Sequence, residues 1–170
     1  MYIDISDFIA NENELIYEDS GSCSINSTNQ SLVFIGDVTY DILISKADRE
    51  LILNLGVEYE YKKPCDRCLV EVINVDFVEY SGKLANETDV EDFDDTSDII
   101  FMERNKINIC ELVKEIVILS IPMKNLCKDT CLGICPKCGK DLNKEECDCE
   151  IESGDLRFSV LKDLRIDEEV

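Results

Sequence analysis

From Ser31 to Ser81 apolar residues recur at every second position, the spacing of strands that bury one face. Val38, Tyr40, Ile42 and Ile44 alternate with Thr39, Asp41 and Ser45. After a polar turn at Lys46–Arg49, the series Leu51, Leu53, Leu55, Val57, Tyr59 and Tyr61 continues, with Asn54, Glu58 and Glu60 between. The pattern predicts a long antiparallel hairpin. A third strand, carrying Ile73, Val75 and Phe77 on one face, follows a turn at Pro64–Cys68, and an earlier strand covers Leu15–Glu18. A different period begins at Asn108-Ile109-Cys110-Glu111, where Asn at the cap and Glu three residues later read as a helix start. Ile109, Leu112, Val113, Ile116 and Leu119 then recur at helical spacing until Pro122. The expected fold class is α+β: an antiparallel sheet or partial barrel packed with one main helix over residues 1–122. A Cys-rich zinc-binding segment follows over 123–150, then a short C-terminal helix and tail over 151–170.

Charge changes this picture along the chain. Residues 87–98 hold seven carboxylates and no base. Such a run is ordinarily a solvated loop; docking of a cationic partner is the functional alternative, and a Mg²⁺ site the lesser one, since nothing directs the carboxylates to one point. Over the whole chain 38 acidic residues face 17 Lys and Arg, a formal net charge of -21. That charge repels nucleic acid and anionic lipid at long range and favours a basic partner. The absence of His excludes Ser-His-Asp and Cys-His nucleophiles and His-ligated zinc proteases, and no phosphate-binding Gly-rich loop is present. The chain therefore does not read as an enzyme. Its first residues lack a basic and then apolar leader, and the apolar stretch Ile116–Met123 is broken by Ser120 and Pro122. A cytoplasmic location is expected.

In a reducing compartment ten cysteines suggest metal ligands or buried thiols rather than disulfides. Cys110 on the helix and Cys23 in a Ser/Asn-rich loop read as structural thiols. The strongest chemical signal is Cys135-Pro136-Lys137-Cys138-Gly139, half of a zinc knuckle: two cysteines separated by two residues direct both sulfurs to one tetrahedral ion, and the glycine closes the turn. Cys147 and Cys149 complete a set of four; Cys127 and Cys131, one helical turn apart, are the alternative partners of Cys135 and Cys138. Cys65-Asp66-Arg67-Cys68 is a second such pair, between strands rather than in the βαβ setting of a redox motif. With Cys127 and Cys131 it makes a possible second zinc site; a structural turn with free thiols is the other reading. Four thiolates close a zinc site and leave no position for an activated water. Around these cysteines Lys124, Lys128, Lys137, Lys140 and Lys144 face only Asp129 and Asp141 across residues 124–144, a local balance of +3 that offers contacts to RNA or to a partner. The aromatic platform typical of single-strand binding is missing there.

Taken in order, these pieces resemble the bacterial YceD family of large-subunit ribosomal RNA accumulation proteins, also found in plastids. The resemblance is carried by Pro64-Cys65-Asp66-Arg67-Cys68-Leu69, the acidic run, Glu111-Leu112-Val113-Lys114-Glu115 and Leu119-Ser120-Ile121-Pro122-Met123-Lys124. It continues through Cys127, Cys131, Gly133-Ile134-Cys135-Pro136-Lys137-Cys138-Gly139-Lys140-Asp141-Leu142-Asn143, Cys147-Asp148-Cys149 and a closing Asp155–Leu164 motif. Ile134 stands where the family commonly has Leu, and Cys110 where its helix is usually aliphatic. The resemblance implies a cytosolic factor needed for accumulation of 23S ribosomal RNA in large-subunit biogenesis, with a metal site and no assigned catalytic residues. Combined with the acidity, it leads to the expectation of a basic ribosomal protein as partner, with direct contact of ribosomal RNA as the alternative.

Overall fold

The computed structural model describes residues 1–26, 31–47, 50–86 and 98–149. Most of the seven-carboxylate run and the closing motif lie outside them. The described residues form strands β1 (Tyr2–Asp4), β2 (Ile16–Cys23), β3 (Val33–Phe34), β4 (Val38–Ala47), β5 (Glu50–Pro64), β6 (Glu71–Asn86), β7 (Ile99–Met102) and β8 (Lys106–Asn108), with helices α1 (Ser6–Ala10) and α2 (Ile109–Ser120). The main sheet runs β2-β4-β5-β6-β7, with β3 beside the far end of β5, and β1 pairs with β8 in a small ribbon. Strand pairing is antiparallel throughout except between β6 and β7, which are parallel. The sheet is thus mixed, and among the described residues its path ends at β2 and β7 without closing into a barrel.

The β4–β5 hairpin follows its sequence pattern. Tyr40 opposes Val57, Ile42 opposes Leu55 and Ile44 opposes Leu53, and all six side chains are buried. Strict alternation makes a register slip costly, because it would turn every one of these residues to solvent. Onto this face packs α2 through Ile109, Val113, Ile116 and Val117. Leu119, expected on that face, is 85% exposed, and Val117 takes the inward position instead. The helix starts at Ile109 as its cap signal predicts, but Asn108 gives no side-chain cap to the backbone. Its amide donates to the Glu111 carboxylate at 2.7 Å, and the Ile109 N–H is satisfied by the Met1 carbonyl at 3.1 Å.

Two further expectations change. The third strand exists, but Ile73, Val75 and Phe77 do not join the core. β5 pairs Tyr61 with Asn74 and Tyr59 with Asp76, which turns the three apolar side chains to the opposite, open face. Polar Asn74 on the inner side has a partner there, described below. Cys23 and Cys110 are also not separate thiols. Cys23 ends β2 rather than sitting in a loop, Cys110 lies in the first turn of α2, and the two form a disulfide with Cα atoms 5.6 Å apart. They are 87 residues apart in sequence, so no spacing rule pairs them. No helix among the described residues is long and apolar enough to cross a membrane.

Candidate metal centre

At the far end of the β5–β6 hairpin, eight cysteines gather in two groups of four. The sulfurs of Cys65, Cys68, Cys127 and Cys131 lie within 4.8 Å of one another, and so do those of Cys135, Cys138, Cys147 and Cys149. The sulfurs of Cys127 and Cys131 thus face Cys65 and Cys68, while Cys135 and Cys138 face Cys147 and Cys149.

The two groups share one backbone device. After Cys65 the chain turns so that the Leu69 N–H donates to the Cys65 carbonyl at 2.9 Å and the Cys65 N–H to the Val70 carbonyl at 2.8 Å. After Cys135 the Gly139 N–H donates to the Cys135 carbonyl at 2.9 Å and the Cys135 N–H to the Lys140 carbonyl at 2.8 Å. The fourth residue after the cysteine is left-handed in both turns, with φ of 75° at Gly139 and 61° at Leu69. The glycine signal that marks the second turn in sequence is absent from the first, where a leucine accepts the same conformation.

These turns aim amide dipoles at sulfur. Burial raises the Cys65 thiol, but N–H groups of Cys68, Arg67 and Cys127 outweigh it and lower the pKa to about 6. The N–H groups of Cys138 and Lys137 likewise lower Cys135 to about 6. Each group also holds a thiol displaced the other way. Cys127 is raised to about 12 by burial and the surrounding sulfurs, and Cys149 to about 12 by Cys147 and Cys138 and then by burial. Four thiolates this close repel one another, and a divalent cation is the group that lets all four ionise together. The spacing suits one. A tetrahedral ion with metal–sulfur bonds of about 2.3 Å holds its sulfurs roughly 3.8 Å apart. Here Cys65 and Cys131 are separated by 3.9 Å, Cys68 and Cys127 by 3.6 Å, and Cys147 lies 3.4 Å from both Cys135 and Cys138. Each group is able to hold a metal ion.

Residues outside the cysteines fasten this segment to the sheet. Asn125 is buried and uses all its polar groups. Its N–H donates to the Asp66 carboxylate at 2.6 Å, and its amide nitrogen donates to the carbonyls of Lys63 and Pro64 at 2.9 and 3.1 Å. Its carbonyl accepts from the Asp66 N–H at 2.8 Å, and its side-chain oxygen accepts from Asn74 at 3.2 Å. The Arg67 guanidinium donates to the Cys131 carbonyl at 2.7 Å. Gly133, with φ of 79°, passes so near the Arg67 carbonyl that a Cβ there would meet it at 3.1 Å. Neither Asn125 nor Arg67 stands out by residue type; a buried Asn with every group satisfied is visible only in three dimensions.

The five lysines are exposed on the surface of this segment. Lys140 pairs with Glu145 at 3.6 Å and Lys144 with Asp141 at 3.4 Å.

A family model described as Large ribosomal RNA subunit accumulation protein YceD matches residues 53–165, which takes in all eight clustered cysteines. A curated relative, Large ribosomal RNA subunit accumulation protein YCED homolog 1, chloroplastic, of Arabidopsis thaliana, is 38% identical over 63 residues. That stretch is 37% of this chain and 20% of the plant protein. No solved structure matches the chain. With two thirds of its length matched by the family model, the protein belongs to the YceD family.

Proposed function

We propose that this protein is a non-enzymatic cytoplasmic factor for accumulation of 23S ribosomal RNA and large-subunit biogenesis, that it acts by binding a basic ribosomal protein, and that two structural Zn²⁺ ions hold its Cys-rich end. The family description supports the ribosomal RNA role. An all-thiolate donor set of tetrahedral dimensions supports zinc as the ion. Cys135, Cys138, Cys147 and Cys149 would hold one ion, and Cys65, Cys68, Cys127 and Cys131 the other. With four sulfurs on each, neither ion keeps a position for water, so both serve architecture.

One observation carries the choice of a basic protein over RNA. The basic stretch 124–144 does not stand alone in space, because the second sulfur group draws in the residues around Cys147 and Cys149. Counted over residues 124–149, five lysines face five carboxylates: Asp129, Asp141, Glu145, Glu146 and Asp148. Each ion with four thiolates adds about two negative charges. The segment that would have to grip phosphate is therefore neutral before metal and acidic after it.

The test sets the purified protein against 23S ribosomal RNA fragments and, separately, against large-subunit proteins freed of RNA, at physiological salt. Retention of a basic ribosomal protein and no RNA is expected. RNA binding that disappears when the five lysines become Gln overturns the proposal in favour of direct RNA contact.

A further inference from the structure

We infer that the open face of the sheet along β6 is the docking surface for an extended, Lys- or Arg-rich segment carrying apolar residues in alternation. This rests on, and deepens, the proposal of a basic protein partner.

β6 is bonded to β5 along its length, but β7 joins it only from Lys83 onward. From Glu71 to Gly82 its second edge has no strand partner among the described residues. Exposed edges are usually guarded by Lys, Pro or a bulge. Val72–Ser81 contains neither Lys nor Pro. Instead the open face presents Ile73, Val75 and Phe77, which are 59%, 64% and 61% exposed. Three large apolar side chains at alternate positions along a strand with one edge unpartnered among the described residues form a patch, not scattered exposure.

The frame around the patch is acidic. Phe77 lies opposite Glu58 and Val75 opposite Glu60 on β5. The nearby base, Lys62, is engaged with Glu71 at 2.8 Å. The Phe77 ring covers Gly56, where a Cβ would meet it at 3.2 Å. Beyond Gly56 the same face opens into a cleft of about 850 Å³ with Glu18, Asp41 and Glu79 in its walls and no Lys or Arg. Apolar ridge and acidic cleft are thus continuous across the sheet.

Charge selects the occupant. A second copy would bring the same carboxylates, on a chain of net charge -21, against this face. A cationic strand meets the opposite condition: the acidity of this face attracts it, and pairing along the edge of β6 left open among the described residues sets its apolar residues beside Ile73, Val75 and Phe77.

The probe is a labelled peptide of about twelve residues alternating Lys and Val, with a Lys and Ser peptide of equal charge as control. Affinity is measured by fluorescence anisotropy at several salt concentrations on the full chain. Wild type is expected to bind the Lys–Val peptide at least about tenfold more tightly than the control. V75S/F77S, whose side chains are exposed enough for the fold to tolerate the change, should erase that difference with an unchanged urea midpoint. D41N/E79Q should keep the preference and flatten the salt dependence. Equal binding of the two peptides, indifference to V75S/F77S, or a dimer that V75S/F77S dissociates in sedimentation each overturn the inference. Retention of the same basic ribosomal protein by wild type and V75S/F77S sinks this surface and leaves the proposed function standing. Peptide binding that V75S/F77S abolishes, with no ribosomal protein retained by wild type, supports the surface and sinks the proposed function.

Discussion

The side-chain amide of Asn143 donates to the sulfur of Cys131 at 3.5 Å, across the boundary between the two sulfur groups. The same amide nitrogen bonds to the Asp141 carboxylate at 2.8 Å, and the side-chain oxygen accepts from the Leu132 N–H at 2.9 Å. Asn143 belongs to the loop that closes the second group, yet it bonds to a sulfur of the first. Hydrogen bonds to a ligating atom orient it, and their loss typically weakens metal binding 10- to 100-fold. N143A is therefore expected to weaken zinc retention by the first group against a chromogenic chelator by about tenfold. The second group, whose ligands keep their own amide contacts, should change less. Equal loss at both groups, or none, would show that the contact does not support Cys131.

Leu69 offers a change in the stabilising direction. A left-handed residue with a Cβ costs about 1–2 kcal/mol, while glycine costs roughly 0.5–1 kcal/mol more to order from the unfolded chain. Leu69 is 63% exposed, so its side chain contributes little burial. L69G should leave stability unchanged or raise it by up to about 1 kcal/mol in urea unfolding of the zinc-loaded protein. A loss of more than 1 kcal/mol would mean that the leucine side chain holds the turn by contact.

How far these features were legible in sequence depends on the range of the interactions behind them. The β4–β5 hairpin was plain because Val38–Ile44 and Leu53–Tyr61 alternate through several periods against one buried face. β1, α1, β7 and β8 span three to five residues each, too few for a period to emerge. The turn at Cys135 announced itself through Gly139, whereas the equivalent turn at Cys65 hides behind Leu69. The alternation along β6 is legible in sequence but its inward face is not, because apolar Ile73, Val75 and Phe77 look like core. Only the pairing of Asn74 with Asn125, 51 residues away, explains why the polar side turns inward.

The Cys23–Cys110 disulfide joins the end of β2 to the first turn of α2 across 87 residues. A closure of that length restrains the unfolded chain by roughly 4–5 kcal/mol in the chain-entropy picture, and measured gains are typically about 2–4 kcal/mol. C23A/C110A should lower the unfolding free energy by about 2–4 kcal/mol relative to the oxidised protein, read from urea unfolding at fixed zinc. Under mild reduction that opens this bond, wild type and variant should converge. Coincident midpoints under oxidising conditions would show that the bridge does not restrain the unfolded chain.

Metal removal separates the two halves of the structure. The hydrophobic core runs from Ile3 to Val117 and includes none of the eight clustered cysteines. The Cys-rich segment, in contrast, is held to the sheet by its sulfur groups, Asn125 and Arg67. Four clustered thiols without a cation do not hold a turn, since only the metal makes their ionised forms compatible. Treatment with a strong chelator should therefore release two zinc ions per chain and remove hydrogen-exchange protection from the N–H groups of Cys131, Cys135 and Leu142. Protection across β4 and β5 should survive, because Leu53, Leu55 and Val57 stay buried in the same core as Val113 and Val117. C138S should lower the zinc content by one ion and leave the Asn125 N–H protected, since that bond to Asp66 is made beside the first group. Collapse of the whole sheet on chelation would show that the metal, rather than the apolar face shared by β4, β5 and α2, holds the fold together.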